Sequence, residues 1–259
     1  MIDAHNHLQD PRFQGREEEL IETMKSAGIT ACVVNGTCED DWPRVASLAR
    51  TFPGFVIPSF GLHPWQVEKR STSWLSRLRD FLDEFPAAPI GECGLDRWMA
   101  DPDLKQQHEV FREHLALASE LDRPVTIHCL KAWSPLLEEL LNGPSLPNFL
   151  LHSYGGSVDF ARQLVPLGAW FSFSGYFLHP RKSKTRDVFS ALPPERILVE
   201  TDAPDMAPPN PEFQLDGINH PANLRLVARE LSRILACPES TFTDNATRFF
   251  SSAFSSIRS

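Results

Sequence analysis

The sequence alternates eight times between a short apolar run and a longer segment whose apolar residues recur at helical spacing. The apolar runs predict buried strands, and the segments between them predict amphipathic helices, as in the stripe of Trp42, Val45, Leu48 and Ala49. Strands that alternate with helices favour parallel pairing through right-handed crossovers. At 259 residues, the chain has the length of one α/β barrel. We therefore expect an α/β fold, a (β/α)8 TIM barrel, formed by a single domain over residues 1–259.

The predicted strands and helices divide most of the chain between them. The strands are Met1–His7, Ile29–Val34, Phe55–Phe60, Pro89–Cys93, Pro124–His128, Phe149–His152, Ala169–Phe173 and Ile197–Asp202. The helices are Arg16–Ala27, Asp40–Thr51, Trp74–Leu82, Asp103–Leu121, Trp133–Leu141, Val158–Leu167, Thr185–Leu192, Ala222–Leu235 and Asp244–Phe254. A proline-rich segment, Ala203–Pro221, separates the eighth strand from the last two helices.

Charge and cysteine content limit the partners and the compartment. The formal net charge is -9 and the isoelectric point is about 5.5, so the chain has no global positive field to attract nucleic acid. A polyanion would have to be held by a local patch or by bound cations. The five cysteines form no Cys-x-x-Cys pair, which is typical of free thiols in a reducing cytosol. Without a signal sequence or an apolar run of about 18 residues, we expect a cytoplasmic monomer with no membrane partner.

Six residues suited to binding a metal occur at or near the ends of predicted strands. His5 and His7 share one face of the first strand, because alternate side chains of a strand point the same way. The other four follow later apolar runs: Glu92, His128, His152 and Asp202. Each one alone could be an ordinary polar residue at a strand end, but the active sites of barrels form at the carboxyl ends of the strands. The sequence therefore predicts that the six side chains converge on a metal site.

The same alternation predicts the positions of four further side chains. Cys93 and Cys129 directly follow two of the candidate ligands, so they should face the outer helices as small core residues. Asp3 and Glu200 share faces with candidate ligands on their own strands and should lie deeper in the barrel. These two carboxylates either orient the imidazoles of metal ligands or are buried with other partners, and the sequence leaves both interpretations open.

Seven motifs, in this order, resemble those of the TatD family. They are Ile2-Asp3-Ala4-His5-Asn6-His7-Leu8, Gly61-Leu62-His63-Pro64, Gly91-Glu92-Cys93-Gly94-Leu95-Asp96, Thr126-Ile127-His128, Leu151-His152-Ser153, Glu200-Thr201-Asp202-Ala203-Pro204 and Asn219-His220-Pro221-Ala222. The resemblance extends from Ile2 to Asn245-Ala246-Thr247-Arg248-Phe249-Phe250 and covers nearly the whole chain. TatD-like proteins are metal-dependent hydrolases on a barrel of the amidohydrolase kind, and several are deoxyribonucleases. The resemblance thus implies a TIM barrel of the metal-dependent hydrolase type.

The resemblance also implies how the ligands are divided between two divalent metal ions. It assigns one ion to His5, His7, Glu92 and Asp202, and a second to Glu92, His128 and His152, with Glu92 bridging. Imidazole ligands favour Zn²⁺ or Mn²⁺, whereas the nucleases of the family are associated with Mg²⁺. The sequence therefore leaves the identity of the metal open among Zn, Mg and Mn.

The ligand set predicts hydrolysis by an activated water. Two cations bridged by Glu92 would lower the pKa of a shared water toward neutrality, and Asp202 could accept its proton as a general base. His63 either donates to a substrate oxygen or leaving group, or caps the following turn. Trp65 and Tyr154 either stack on bases of a single strand or pack within the protein. The predicted catalytic residues are therefore Asp202, Glu92 and His63.

Two cations that the family often carries near phosphate are absent from this sequence. Leu130 replaces an Arg after the strand-five histidine, and the run Leu215-Asp216-Gly217-Ile218 lacks the usual Arg or Lys. A basic run after strand seven, Arg181–Arg186, either binds phosphate or is a solvated loop. By resemblance we expect a phosphodiesterase or deoxyribonuclease that acts on DNA ends or single strands. The alternatives are a hydrolase of a small C–N or lactone substrate and a barrel that no longer catalyses.

Overall fold

The computed structural model describes residues 1–146 and 148–252, and within them the predicted alternation of strands and helices is present. The strands are β1 (Ile2–Asn6), β2 (Ala31–Asn35), β3 (Val56–Ser59), β4 (Ile90–Asp96), β5 (Val125–Leu130), β6 (Phe149–Leu151), β7 (Ala169–Ser174) and β8 (Ile197–Glu200). The helices are α1 (Glu17–Ser26), α2 (Trp42–Thr51), α3 (Trp74–Glu84), α4 (Leu104–Leu121), α5 (Trp133–Asn142), α6 (Val158–Leu164), α7 (Ser183–Ser190), α8 (Leu224–Leu235) and α9 (Ser240–Phe249). In this part of the chain, no helix has both the length and the apolar character needed to cross a lipid bilayer.

These strands pair in parallel and in the order of the sequence. β1, β2 and β3 form one sheet, and β4 to β8 form another. A parallel bridge between Phe60 and Ile90 links β3 to β4. At the opposite edges, the amide N–H of Asp202 donates to the carbonyl of His5 (2.9 Å), and that of His7 donates to the carbonyl of Ala203 (2.8 Å). The strands therefore follow one another in a TIM-barrel-like α/β fold, as the sequence predicted.

Alternate residues of the strands contribute to two separate parts of the hydrophobic core. Cys32 and Val34 of β2 belong to the larger cluster, which contains the apolar faces of the helices. Ala31 and Val33 of the same strand belong to the smaller cluster, together with Phe249 at the end of α9. This division is expected for parallel strands that are buried on both faces. Both faces of the strands are therefore committed to packing, which leaves their carboxyl ends for polar side chains.

Helix α9 covers the amino ends of the strands, on the side opposite to those polar residues. Asn245 Nδ2 donates to the carbonyl oxygen of Ile197, where β8 begins (2.7 Å). The helix starts earlier than the predicted Asp244, because Phe242 is buried and its packing overrides the weak helix propensity of the neighbouring threonines. The predicted end of this helix, Phe254, lies outside the described residues.

Strand β4 extends to Asp96, whereas the sequence predicted its end at Cys93. A glycine such as Gly94 usually weakens the interior of a strand. Here a Cβ atom at Gly94, whose φ is +143°, would lie 2.0 Å from the carbonyl oxygen of His128. The glycine therefore allows β4 and β5 to approach closely, and the strand continues on one face from Glu92 to Asp96.

Two segments contain more regular structure than the sequence predicted: α7 begins two residues before the predicted Thr185, and the proline-rich segment contains two short strands. Helix α7 begins at Ser183, so Lys184 and Arg186 of the basic run lie on a helix, and Arg181 and Lys182 lie in the 3-10 turn before it. The proline-rich segment contains a small antiparallel hairpin, formed by β9 (Gln214–Leu215) and β10 (Ile218–Asn219).

Candidate metal centre

The first group of candidate ligands comes from the carboxyl ends of β1 and β8 and from Glu92 of β4. His5 Nε2 lies 3.3 Å from both His7 Nε2 and Glu92 Oε2, and 3.6 Å from Asp202 Oδ1. His7 Nε2 lies 3.4 Å from the same two carboxylate atoms. Four ligands at about 2.1 Å from one ion in a tetrahedron are about 3.4 Å apart. The separations of these four atoms therefore fit a single divalent cation.

The second group faces the other oxygen of Glu92. Glu92 Oε1 lies 2.8 Å from His152 Nε2 and 3.1 Å from His128 Nδ1, and the two imidazole nitrogens are 3.2 Å apart. One carboxylate thus turns Oε2 toward the first group and Oε1 toward the second. This division suits a carboxylate that bridges two cations with one oxygen on each.

Two of the imidazoles are held with one nitrogen directed at the site. His7 Nδ1 is 2.9 Å from the carbonyl of Asn35, and a carbonyl only accepts, so this nitrogen carries a proton and Nε2 is the nitrogen turned toward the site. His128 Nε2 is 2.9 Å from Asp96 Oδ2, which leaves His128 Nδ1 turned toward the site in the same way. An oxygen partner that fixes the tautomer is the usual companion of a metal-binding histidine.

The sequence left open whether Asp3 and Glu200 orient imidazoles of the candidate ligands. The two carboxylates differ in this respect because, of the pair, only Glu200 lies beside such an imidazole. Asp3 accepts hydrogen bonds from the backbone N–H (2.9 Å) and hydroxyl (2.6 Å) of Thr201, and burial raises its pKa to about 7. It therefore ties β1 to the end of β8 and does not orient an imidazole. Glu200 accepts two hydrogen bonds from Ser153, and its Oε1 also lies 3.6 Å from His152 Nδ1.

The site attracts positive charge. Burial alone would raise the pKa of Glu92, but the surrounding imidazoles, with His152 first, lower it well below its usual range. Burial likewise opposes the charging of His7, yet its contacts with Asp202 and Glu92 raise the pKa of His7 to about 9. A buried carboxylate, Glu92, and a partly buried one, Asp202, are stabilised by positive charge. Divalent ions would supply that charge, and the set of four imidazoles and two carboxylates suits them.

Asp96 is the important residue that the sequence analysis missed. Its Oδ2 accepts from His128 Nε2 (2.9 Å) and from the indole Nε1 of Trp65 (2.8 Å), and its Oδ1 accepts from the backbone N–H of Trp98 (2.6 Å). Burial would raise the pKa of Asp96, but these hydrogen bonds, led by the one from His128, lower it to about 2. Asp96 shares a strand face with Glu92, so a correct end for β4 would have identified it from the sequence.

We expect Asp96→Asn to weaken metal binding at the second position by about 10- to 100-fold, because His128 loses the carboxylate that fixes its tautomer. Isothermal titration of metal-stripped protein measures this change. Asp101→Asn is the matched control, since Asp101 is an exposed carboxylate in the turn after β4. Equal affinities in the two variants would contradict the assigned role.

His63 has the capping contact that one of its two interpretations predicted. Its Nδ1 accepts the backbone N–H of Trp65 (3.1 Å) and so caps the turn after β3. Its proton is consequently on Nε2, which lies 3.4 Å from Glu92 Oε1. Burial lowers the pKa of His63 to about 4, so the ring is neutral. The ring therefore directs an N–H toward Glu92, while its other nitrogen accepts the hydrogen bond of the cap.

The two candidate stacking residues have different surroundings. Tyr154 is fully buried and its hydroxyl donates to the carbonyl of Ser157 (2.7 Å), so the interpretation of Tyr154 as a base-stacking residue is wrong. Trp65 is 53% exposed and lines the cavity above the ligands. Cys93 and Cys129 are buried in the larger core cluster, as the alternation predicted.

The cavity above the candidate ligands has a volume of about 690 Å³ and a largely acidic rim. Its carboxylates outside the ligand set are Asp10, Asp40, Asp41 and Asp205. Arg12, one of two arginines on the rim, is held by Asp10 (2.9 Å) and Asp205 (2.8 Å). The rim therefore offers little free positive charge to a polyanion.

The basic run after β7 does not line this cavity. Arg186 donates to the carbonyls of Phe177 (2.7 Å) and His179 (2.8 Å), so its guanidinium holds the backbone of its own segment. Arg181 and Lys182 both lie over the ring of Tyr176. Arg186 thus has a structural role, which weakens the interpretation of the whole run as a phosphate-binding loop.

Imidazoles and carboxylates gathered at the carboxyl ends of barrel-type parallel strands define a metal-dependent hydrolase. The comparison with protein families identifies which one: the family described as TatD related DNase matches residues 2–255, and the chain belongs to this family.

Relatives and solved structures agree with this assignment. The metal-dependent hydrolase YjjV of Escherichia coli (strain K12) is 35% identical over 207 residues, which cover 79% of this chain and 80% of that protein. The 3'-5' ssDNA/RNA exonuclease TatD of Cronobacter sakazakii is 30% identical over 261 residues, covering 96% and 97%. The crystal structure of YjjV from E. coli K12, a TatD homologue, has a TM-score of 0.88 at 32% identity and covers 97% of this chain and 98% of that one. A TatD family hydrolase from Entamoeba histolytica, 19% identical with a TM-score of 0.81, shares the fold.

Proposed function

We propose that this protein is a divalent-metal-dependent phosphodiesterase that cleaves single-stranded nucleic acid, in particular DNA, from its ends. The observation that carries the proposal is the division of the two Glu92 oxygens between two separate imidazole groups, 2.8 to 3.4 Å away. Two-metal sites of this kind are common in phosphodiester hydrolysis. Relatives named as ssDNA/RNA exonucleases support the same class of substrate.

In this proposal, one ion is held by His5, His7, Glu92 and Asp202, and a second by Glu92, His128 and His152. When bound, the ions supply a water of lowered pKa and polarise a phosphoryl oxygen. Asp202, whose side chain is 14% exposed at the cavity floor, accepts the proton of that water. His63 keeps its proton on Nε2 and donates a hydrogen bond to a phosphoryl or leaving oxygen.

A hydrolase of small C–N or lactone substrates is the second candidate, and the acidic rim favours it. Arg12 is neutralised by Asp10 and Asp205, and Asp40 and Asp41 add further negative charge to the rim. A long polyanion would be repelled here unless cations elsewhere hold it. A small neutral substrate would not be affected.

A panel of substrates distinguishes the two candidates. Metal-stripped protein reloaded with Zn²⁺, Mn²⁺ or Mg²⁺ is assayed on single-stranded DNA, bis(p-nitrophenyl) phosphate, dihydrouracil and a simple lactone. We expect hydrolysis of the two phosphodiesters, its loss with a chelator, and up to two bound ions per chain by elemental analysis. Turnover of only the cyclic amide or the lactone would refute the proposed function in favour of the alternative.

A further inference from the structure

Two tryptophans are exposed at the carboxyl ends of neighbouring strands. Trp65 follows β3 and is 53% exposed, and Trp98 follows β4 and is 66% exposed. Among the large apolar side chains described, only Leu141, on α5, is exposed to a similar extent. An indole left in water offers a large flat apolar surface, so a neighbouring pair of them indicates binding.

Both tryptophans are fixed by the carboxylate that also holds His128. The indole Nε1 of Trp65 donates to Asp96 Oδ2 (2.8 Å), and the backbone N–H of Trp98 donates to Asp96 Oδ1 (2.6 Å). The same Oδ2 accepts from His128 (2.9 Å). Trp65 also lines the cavity above the candidate ligands. Trp65 therefore lies at the cavity, and Trp98 follows closely after the carboxylate that holds the Trp65 indole.

Positive charge accompanies these aromatic side chains. Lys131, at the end of β5, places its Nζ 5.2 Å from the centre of the Trp98 ring. Arg97 is exposed between Asp96 and Trp98, and its backbone N–H donates to the carbonyl of Leu130, at the end of β5 (2.9 Å). Cations interleaved with exposed aromatic rings are the composition of a surface that binds single-stranded nucleic acid.

We propose that Trp65, Trp98, Arg97 and Lys131, the indole platform, bind the strand as it enters the metal site. The indoles stack on bases, and the two cations contact the phosphates between them. Stacking of this kind accepts any base, because every base has a flat π face. The platform rests on the proposed phosphodiesterase function and places the strand on the side of β3 to β5, away from the basic run after β7.

Cleavage kinetics on strands with and without bases test the indole platform. We compare kcat/KM on oligothymidylate with that on an abasic strand of equal length, for the wild type, Trp98→Ala, Trp98→Phe and Leu141→Ala. Loss of one stacked base corresponds to a fall of about fivefold to a hundredfold. We expect Trp98→Ala to lower kcat/KM on oligothymidylate by this factor, through a higher KM. The decrease in kcat/KM on the abasic strand should be smaller. Trp98→Phe should recover part of the loss, and Leu141→Ala should match the wild type.

The cationic half of the platform is tested by salt dependence. Fluorescence anisotropy of a labelled strand gives binding affinities over a salt series without requiring cleavage. We expect Lys131→Gln to reduce the slope of log affinity against log salt by about 0.7, the value for one phosphate contact to a single strand. Lys184→Gln, on α7, is the matched control and should keep the wild-type slope.

Several results would overturn the platform while leaving the proposed function intact. These are an equal loss on oligothymidylate and abasic strands in Trp98→Ala, an unchanged slope in Lys131→Gln, or loss of self-association in Trp98→Ala with normal strand affinity. The last result would make the surface a contact between copies of the chain. A wild type that cleaves no phosphodiester would refute the proposed function, and the anisotropy measurements would still decide whether the platform binds a strand.

Discussion

Replacing Glu92 with glutamine is expected to lower turnover by about 10⁴-fold or more, because the metal-generated hydroxide is lost when both positions lose their shared ligand. The amide keeps the size of the side chain, but it carries no charge and offers only one oxygen. The carboxylate it replaces is nearly inaccessible, with 3% of its side chain exposed, and lies within 3.4 Å of five imidazoles. We therefore expect elemental analysis to find a reduced metal content at both positions.

Thermal unfolding provides a second measurement on the same variant. A ligand that binds only the folded protein stabilises it by about 2.7 kcal/mol at 100 times its dissociation constant. The wild type should gain stability when metal is added, and Glu92→Gln should gain much less. Glu139→Gln is the control, since Glu139 is also a buried carboxylate, paired with His108 and Arg112 on the outer helices. A full metal response in Glu92→Gln would refute the bridging role.

Changing Asp202 to asparagine is expected to reduce turnover by about 10²- to 10⁴-fold, the usual effect of losing a general base. Burial would raise the pKa of Asp202, but its contacts with imidazoles, first the hydrogen bond with His7, lower it below the ordinary value. Because the pKa is lowered, the base is ionised at neutral pH and loses activity only as the pH falls through that lowered pKa. Asn has no such titration.

The measurement for Asp202 is a pH–rate profile on bis(p-nitrophenyl) phosphate, with metal content determined in parallel. The acid limb contributed by the base should be missing from the Asp202→Asn profile, in addition to the fall in turnover. Asp187→Asn, an exposed carboxylate on α7, should keep the wild-type profile. Near-normal turnover in Asp202→Asn with full metal content would exclude it as the base.

Spacing alone predicted most of the fold and the convergence of the six candidate ligands. In β1, the period of two places His5 and His7 on one face, and parallel strands bring their carboxyl ends together, so residues distant in sequence meet in space. The separations of 2.8 to 3.6 Å between ligand atoms follow from that convergence. The alternation of residues along the strands predicts this convergence because both faces of each strand are buried and the register is therefore fixed.

Spacing could not predict which nitrogen of each imidazole faces the site. The answer depends on acceptors contributed by other elements, Asn35 for His7 and Asp96 for His128. For the same reason, the sequence could not choose between the two roles of His63, since the hydrogen bond from the Trp65 backbone determines its tautomer. Such partners become visible only when the loops are placed.

Exposure of aromatic residues was equally hard to predict. Tyr154 follows His152 closely in the sequence, which left stacking on bases and internal packing both open. In the structure, its ring packs on Trp133 and Phe171 at 4.9 and 4.7 Å. Ser153 lies between His152 and Tyr154. Its φ of +42° is in the left-handed region, and the chain turns inward there. Trp98, in contrast, has no apolar periodicity to mark it and is exposed.

The sharing of Asp96 Oδ2 between Trp65 and His128 has an optical consequence. A cation on His128 Nδ1 withdraws electron density from the ring and strengthens the hydrogen bond from its Nε2–H to that oxygen. The same oxygen is then a weaker acceptor for the Trp65 indole, whose emission is sensitive to that bond. Metal binding should therefore change the fluorescence of Trp65, so the protein carries an intrinsic reporter of occupancy that needs neither label nor substrate.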